Sequence, residues 1–357
     1  MSKMSKERKK KYKEIGEKSQ GLFNESQAAL ILQAIQQGYK LDSMGFVPHP
    51  GFFQAPHRRD LTGVDIAMVG CPMSMGGFGG LSGGRHGPRA IREWTRHYGP
   101  VSDSTGNNVF LQCSVIDYGD IEWSACNVDA MVDDIYKVFK ELAESDITPL
   151  ACGGEHTITF PIIKALSEAH DNEAFGMIHL DAHCDSMGPL GADVYHDGMI
   201  FRLGVLEGYI DPEHSVEIGT RGRATPMWDF SHDAGVTIIT ADEVYRKGIQ
   251  YVIDKTREVI GTEPTYFSLD VDVLDSSIMM GTGGMEPFGL TGREVREIIL
   301  GARTLNIIGA DLVELNPYLD QTDRSSHLAA GLFFELLCLL ADAREKRMGK
   351  QNPTTWE

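Results

Sequence analysis

From residue 64 onward the chain alternates between two patterns. Short apolar runs, the first of them V-D-I-A-M-V-G, are each followed by stretches in which apolar residues recur at helical spacing, the first being G-P-R-A-I-R-E-W-T-R-H-Y. The runs predict strands at 64–70, 114–118, 148–151, 174–180, 215–218, 236–240, 265–269 and 307–312. The amphipathic stretches predict helices at 131–145, 158–169, 241–246, 249–260 and 291–303, with a long apolar helix at 328–343. Strand–helix alternation of this kind feeds a mainly parallel sheet covered on both faces. The expected fold class is therefore α/β, a three-layer αβα arrangement around a mainly parallel sheet. It forms a single domain over residues 61–347, with no internal repeat and no linker between two cores.

Residues 1–60 read as an N-terminal extension and 348–357 as a C-terminal tail. The basic start M-S-K-M-S-K-E-R-K-K-K-Y-K leads into a helical pattern, E-S-Q-A-A-L-I-L-Q-A-I-Q-Q-G, with Gly38 as its natural stop. A loop rich in Pro, His and Phe follows at 48–56. The start lacks the apolar segment of a secretory signal. No apolar run approaches the roughly 20 residues needed to cross a bilayer. The six cysteines form no CxxC pair and read as buried thiols of a reducing cytoplasm. A net charge of -18 counts against nucleic-acid and anionic-membrane partners and suits a cationic small molecule.

Candidate chemistry gathers at the strand ends, where open α/β sheets place their sites. C-G-G-E-H-T, residues 152–157, brings His156 to the start of a helix. I-H-L-D-A-H-C-D-S, residues 178–186, projects Asp181 and His183 together, with Asp185 just beyond the strand. S-L-D-V-D-V-L-D, residues 268–275, repeats the device with Asp270 and Asp272. Four carboxylates in one crevice repel one another strongly unless positive charge compensates. Two imidazoles and four carboxylates suit two divalent ions with shared ligands. The mixed donor set favours Mn, Ni, Fe or Zn over Mg or Ca.

Taken together, these clusters resemble the ureohydrolase family of arginases, agmatinases, guanidinobutyrases and guanidine hydrolases. G-G-E-H resembles the family's GGDH motif, D-A-H-C-D its DAHxD, and S-L-D-V-D-V-L-D its SxDxDxxDP apart from the last position. S-G-G-R-H-G-P-R-A-I-R at 82–92 and V-E-L-N-P at 313–317 extend the resemblance, which covers about residues 64–345. It implies an arginase-like fold and a metal-dependent hydrolase of C–N bonds other than peptide bonds. It also implies one ion held by His156, Asp181, Asp185 and Asp270, and another by Asp181, His183, Asp270 and Asp272. Asp181 and Asp270 would bridge, and Asp185 would orient a hydroxide between the ions. By the same resemblance His196 would shuttle a proton to the leaving amine and Glu314 would pair with the cationic group of a guanidine-type substrate. The ions would be Mn or Ni, and the assembly a homo- or hetero-oligomeric trimer or hexamer with a related subunit.

The chain departs from the family in two loops. Over 275–290, Ser276, Met280 and Met285 replace prolines and Phe288 replaces a glycine. Fewer prolines soften the loop, and the methionines with Phe288 offer an adaptable apolar wall. The Gly-rich loop at 73–86 supplies no partner for a substrate carboxylate, which weakens arginine and guanidinobutyrate as substrates. The expected substrate is a small or N-alkylated guanidine, extending to the biguanide metformin, which would give guanylurea and dimethylamine. The extension and the N-P-Y-L-D-Q-T-D run resemble guanidine hydrolases and the metformin hydrolases related to them. Two other readings remain open. One is a urea-releasing enzyme of agmatinase or guanidinobutyrase type; the other is a metal-binding regulatory subunit of a mixed ureohydrolase assembly. A deacetylase-type hydrolase on the same architecture expects a single ion, against which the six ligands argue.

Overall fold

Eight strands form among the described residues, each where an apolar run predicts it: β1 Ile66–Cys71, β2 Val115–Asp120, β3 Thr148–Gly153, β4 Gly176–Leu180, β5 Val216–Ile218, β6 Thr237–Ile239, β7 Pro264–Asp270 and β8 Asn306–Val313. The structure is a computed structural model and describes residues 4–18, 32–33, 36, 51–74, 83–122, 127–189, 195–222 and 228–349. Almost all of the helix expected at 25–38, much of the Gly-rich loop at 73–86, and the tail from 350 lie outside the described residues. The strands make one sheet in the order β2-β1-β3-β8-β7-β4-β5-β6, and every neighbouring pair is parallel.

The helices are α1 Lys6–Lys18, α2 Gly87–Thr95, α3 Val109–Gln112, α4 Val128–Glu144, α5 Thr159–Ala169, α6 Ile200–Leu206, α7 Asp229–Ala234, α8 Ala241–Lys247, α9 Ile249–Ile260, α10 Gly292–Gly301 and α11 Arg324–Arg347. Successive strand residues feed opposite cores, as a period of two requires. Ile66 and Met68 pack with α2, α9, α10 and α11, whereas Ala67 and Val69 pack with α4, α5 and α6. Both sheet faces are therefore covered, which is why the strands read as continuous apolar runs. Helix α4 starts three residues earlier than periodicity predicts, because its first turn is polar and Asn127 caps it by accepting from Ala130 N–H; α10 lies inside the predicted 291–303, with Thr291 forming a capping box with Glu294.

Of the described helices, α11 alone has the length and composition to cross a membrane, and its most apolar stretch is 83% buried inside the fold. It is a core helix. The end of the N-terminal segment is also built into this core. Phe52 and Phe53 are fully buried, and Phe53 stacks on Phe333 of α11 with centroids 5.9 Å apart. Phe52 N–H donates to Asp117 Oδ2 at 2.8 Å, and the Arg92 guanidinium lies over its ring at 4.1 Å. Arg92 in turn pairs with Asp117 and Asp120 at the end of β2.

Candidate metal centre

The four central strands β3, β8, β7 and β4 end side by side, and each delivers polar side chains to one crevice. His156 opens the turn before α5, and Glu314 follows β8 directly. The strands stop sooner than the i, i+2 reading implies: β4 ends at Leu180 and β7 at Asp270. The remaining groups ride on turns. Asp270 Oδ1 accepts from Asp272 N–H at 2.7 Å, so a tight turn rather than strand alternation aims Asp272 inward. Asp272 Oδ1 then accepts from Ala182 N–H at 3.0 Å, tying the β7 turn to the β4 turn.

Two half-sites result. In the first, His156 Nδ1 lies 2.9 Å from Asp185 Oδ2, 3.3 Å from Asp181 Oδ2 and 3.4 Å from Asp270 Oδ2. In the second, His183 Nδ1 lies 2.9 Å from Asp272 Oδ2 and 3.3 Å from Asp181 Oδ1. Asp181 thus turns one oxygen to each half-site. All but His183 of these residues are buried. Asp185 has φ +44° and Glu314 φ +65°, a left-handed backbone that non-glycine residues seldom adopt and that tends to mark functional positions.

The donor set fits divalent ions. His156 Nδ1 is buried within ionic reach of three carboxylates yet makes no hydrogen bond. Its other nitrogen, Nε2, lies 2.8 Å from Ser268 Oγ, which donates to the buried Asp311 at 2.7 Å. Ser268 Oγ is therefore left to accept from Nε2–H, and in the neutral ring the Nδ1 lone pair faces the crevice, as a metal ligand requires. The titration of the cluster records the same crowding. Burial and the neighbouring Asp272 and Asp181 push Asp270 well up, and burial with Asp181 raises Asp272. Burial works against charge on His156 and His183, but the carboxylates outweigh it and raise both. Asp181 is held down despite its burial by the three imidazoles of His156, His179 and His183.

Glu314 Oε1 accepts the His156 backbone N–H at 2.6 Å, so a bidentate contact to a cation has to share that oxygen. Burial raises the Glu314 carboxyl, followed by the charges of Asp197 and Glu155, so three acidic side chains gather on this side of the crevice. His196 is buried, with Nε2 3.3 Å from the Gly188 carbonyl.

Close backbone packing holds the walls. A Cβ on Gly154 would sit 2.1 Å from Met73 O, and one on Gly83 would sit 1.9 Å from Asn316 Oδ1. The substituted loop reaches the second half-site, since a Cβ on Gly284 would lie 2.4 Å from Asp272 Oδ2 and 2.8 Å from His183. Gly281 pins it, donating to Ser325 Oγ and accepting from Asn316 N–H. Met279 is buried beneath it, whereas Met280, Met285 and Phe288 are exposed at 38%, 41% and 84%.

Two residues of this site escape the motif reading. Arg221, nearly buried, donates to the carbonyls of Gly219, Asp272, Val273, Leu274, Glu286 and Pro287. His179 is fully buried on β4 with Nε2 3.0 Å from Asp181 Oδ2, and its nitrogen lies near enough to His156, Asp181 and Asp185 to share a metal cluster with them. The alternation of Asp181 and His183, continued one step back, points to it.

Residues 64–338 match the sequence profile of the arginase family. The chain is 35% identical to the mitochondrial guanidino acid hydrolase of Homo sapiens, over 83% of this chain and 85% of that one. It is 35% identical to the guanidinobutyrase of Pseudomonas aeruginosa, over 79% and 88%. The crystal structure of proclavaminate amidino hydrolase from Streptomyces clavuligerus superposes with a TM-score of 0.80 at 33% identity, covering 84% of this chain and all of that one.

Proposed function

This chain belongs to the arginase family, whose members hydrolyse C–N bonds of guanidino groups at two-metal centres, and on that premise we propose that its substrate is a small or N-alkylated guanidine cation, metformin among the candidates. The observation that carries the substrate reading is the loop over the second half-site. Gly284 abuts Asp272 and His183, and its chain neighbour Met285, together with Met280 and Phe288, presents apolar surface to solvent. An N-alkyl end can be sheltered there, while the carboxylates of Glu314, Asp197 and Glu155 favour the cationic end.

In this reading His156, Asp181, Asp185 and Asp270 hold one ion, and Asp181, His183, Asp270 and Asp272 the other. Two Mn or Ni ions there would supply a water acidified to near neutrality and would offset the carboxylate charge. Asp185, fixed in its left-handed conformation, orients the attacking oxygen. Glu314 receives the guanidinium and holds its planar carbon over the half-sites. His196 gives the leaving amine its proton, exchanging the Gly188 carbonyl for the amine nitrogen. The five described cysteines are free buried thiols, in keeping with a cytoplasmic protein, and a trimer or hexamer is the proposed assembly.

The test is a hydrolysis panel on the purified chain loaded separately with Mn and with Ni, followed by mass spectrometry. Guanidine or metformin turnover supports the reading. Turnover confined to agmatine or guanidinobutyrate overturns the substrate assignment in favour of a urea-releasing enzyme of that type. Inactivity of a fully loaded chain on all of them points to a regulatory subunit.

A second expectation concerns pH. In the metal-free protein the carboxylates raise His156 and His183, and burial with like charge raises Asp270 and Asp272, so these four hold protons more tightly than free side chains do. Metal binding needs neutral imidazoles and ionised carboxylates, so it releases protons and its apparent affinity rises with pH. Calorimetric titration in buffers of different ionisation enthalpy should show net proton release at pH 7; net proton uptake contradicts the ligand set.

A further inference from the structure

We infer that His179 is a positioning residue: its Nε2–H fixes the bridging carboxylate of Asp181 in the orientation that lets each oxygen serve a different ion. The inference rests on the proposed two-metal reading and adds to it a residue that binds neither ion nor substrate.

The argument begins with Asp181. A carboxylate shared between two ions has to hold its plane so that both oxygens face outward, and rotation about its side-chain bonds would take both away at once. Two donors oppose that rotation here. The His183 backbone N–H donates to Oδ1 at 2.5 Å, and His179 Nε2 lies 3.0 Å from Oδ2. An ionised carboxylate only accepts, so His179 donates and its proton resides on Nε2. His156 and His183, by contrast, turn Nδ1 to the carboxylates.

The surroundings keep the His179 ring in place. It sits in the middle of the sheet with no exposed surface, on β4 between β5 and β7. The Phe201 ring lies parallel to it at 6.3 Å and 3°, and the His156 ring meets it edge-on at 5.1 Å. His156 and His179 therefore buttress each other while serving different parts of the cluster. On the other side, His179 pairs in register with the fully buried Glu217 of β5, whose Oε1 accepts from Ser231. An imidazole caught between an aromatic plate, a second imidazole and a neighbouring strand loses almost no further rotamer freedom when it orders a carboxylate. Partners of this kind, one bond removed from the ion, change metal affinity by about 10–100-fold when mutated.

The experiment titrates metal-stripped wild type, H179F, H179M and H179Q with Mn(II). Bound and free metal are separated by equilibrium dialysis, and the coupled pair is monitored by electron paramagnetic resonance. Phe and Met remove the donor with little loss of volume, and using both guards against one failing to fold. Gln places an amide N–H near the position of Nε2. The expected result is two ions per wild-type chain, affinity lowered about 10–100-fold in H179F and H179M, a weakened coupling signal in both, and substantial rescue in H179Q. Thermal unfolding of the metal-free proteins should be similar across the set. Wild-type binding in H179F and H179M overturns the inference. Loss of one ion from H179Q as complete as in the other two also overturns it, because His179 would then be a ligand rather than a donor. Failure of wild type to bind two ions sinks the two-metal reading itself, a separate outcome.

Discussion

Asp181→Asn is expected to lower turnover by about 10³-fold or more and to leave a chain that no longer holds two ions. Asp181 is the one carboxylate whose two oxygens face both imidazoles, Oδ2 toward His156 and Oδ1 toward His183. An amide keeps the shape but removes the charge. It also turns one of the two positions into an N–H₂ that repels a cation and clashes with the donors already there, His179 on one side and the His183 backbone on the other. The defect should therefore appear in metal content before it appears in KM. Elemental analysis of the purified variant beside steady-state rates checks this. Full metal occupancy with undiminished kcat would remove Asp181 from the centre of the mechanism. Glu314→Gln should behave differently, retaining both ions and raising KM, since Glu314 lies on the substrate side of the cluster.

The second large effect is structural. Arg221→Met is expected to destabilise the protein by on the order of 3 kcal/mol, seen as a drop of roughly 4–5 °C in Tm. Six carbonyl oxygens converge on this guanidinium, five of them from the turn carrying Asp272 and from the loop around Pro287. Removing the fork leaves these acceptors without their donor. Lysine keeps the charge but offers a compact ammonium with three donors, too few to span both loops, so Arg221→Lys should recover only a small part. A Cβ on Gly289 would lie 2.4 Å from Arg221 Nη2, so Gly289→Ala should show a weaker form of the same defect. Differential scanning calorimetry of metal-free and metal-loaded protein separates the two contributions. An unchanged Tm in Arg221→Met would mean that the loops hold themselves.

What the chain announces and what it hides divide along physical lines. Apolar runs announced every described strand, because the sheet is covered on both faces and few polar residues interrupt it. The Asp and His clusters at strand ends announced the crevice, because charged side chains on an apolar strand have no other reason to be adjacent. Asp272 lay within such a cluster, yet the turn that aims it was hidden, since a short tight turn and one more strand residue look alike in sequence. His179 was hidden differently. Flanked by Ile178 and Leu180, it passes for a strand residue like its neighbours unless the alternation of Asp181 and His183 is carried one step back. Arg221 left no trace, because all its partners are main-chain carbonyls, which any residue supplies. The burial of Phe52 and Phe53 was equally silent, since the surfaces receiving them belong to α2 and to α11, far along the chain.

The position of β8 in the sheet bears on the order in which the molecule is made. It is the last of the described strands in chain order, yet it lies in the middle, paired with β3 on one side and β7 on the other. Until residues 306–313 emerge, the half containing β1 to β3 and the half containing β4 to β7 have no strand to join them. His156 belongs to the first half, while Asp181, His183, Asp185, Asp270 and Asp272 belong to the second. On the ribosome the crevice stays divided until residues 306–313 have emerged, and pairing strands so far apart in sequence is intrinsically slow. On the proposed two-metal reading, loading of the ions then follows the closing of the sheet by β8.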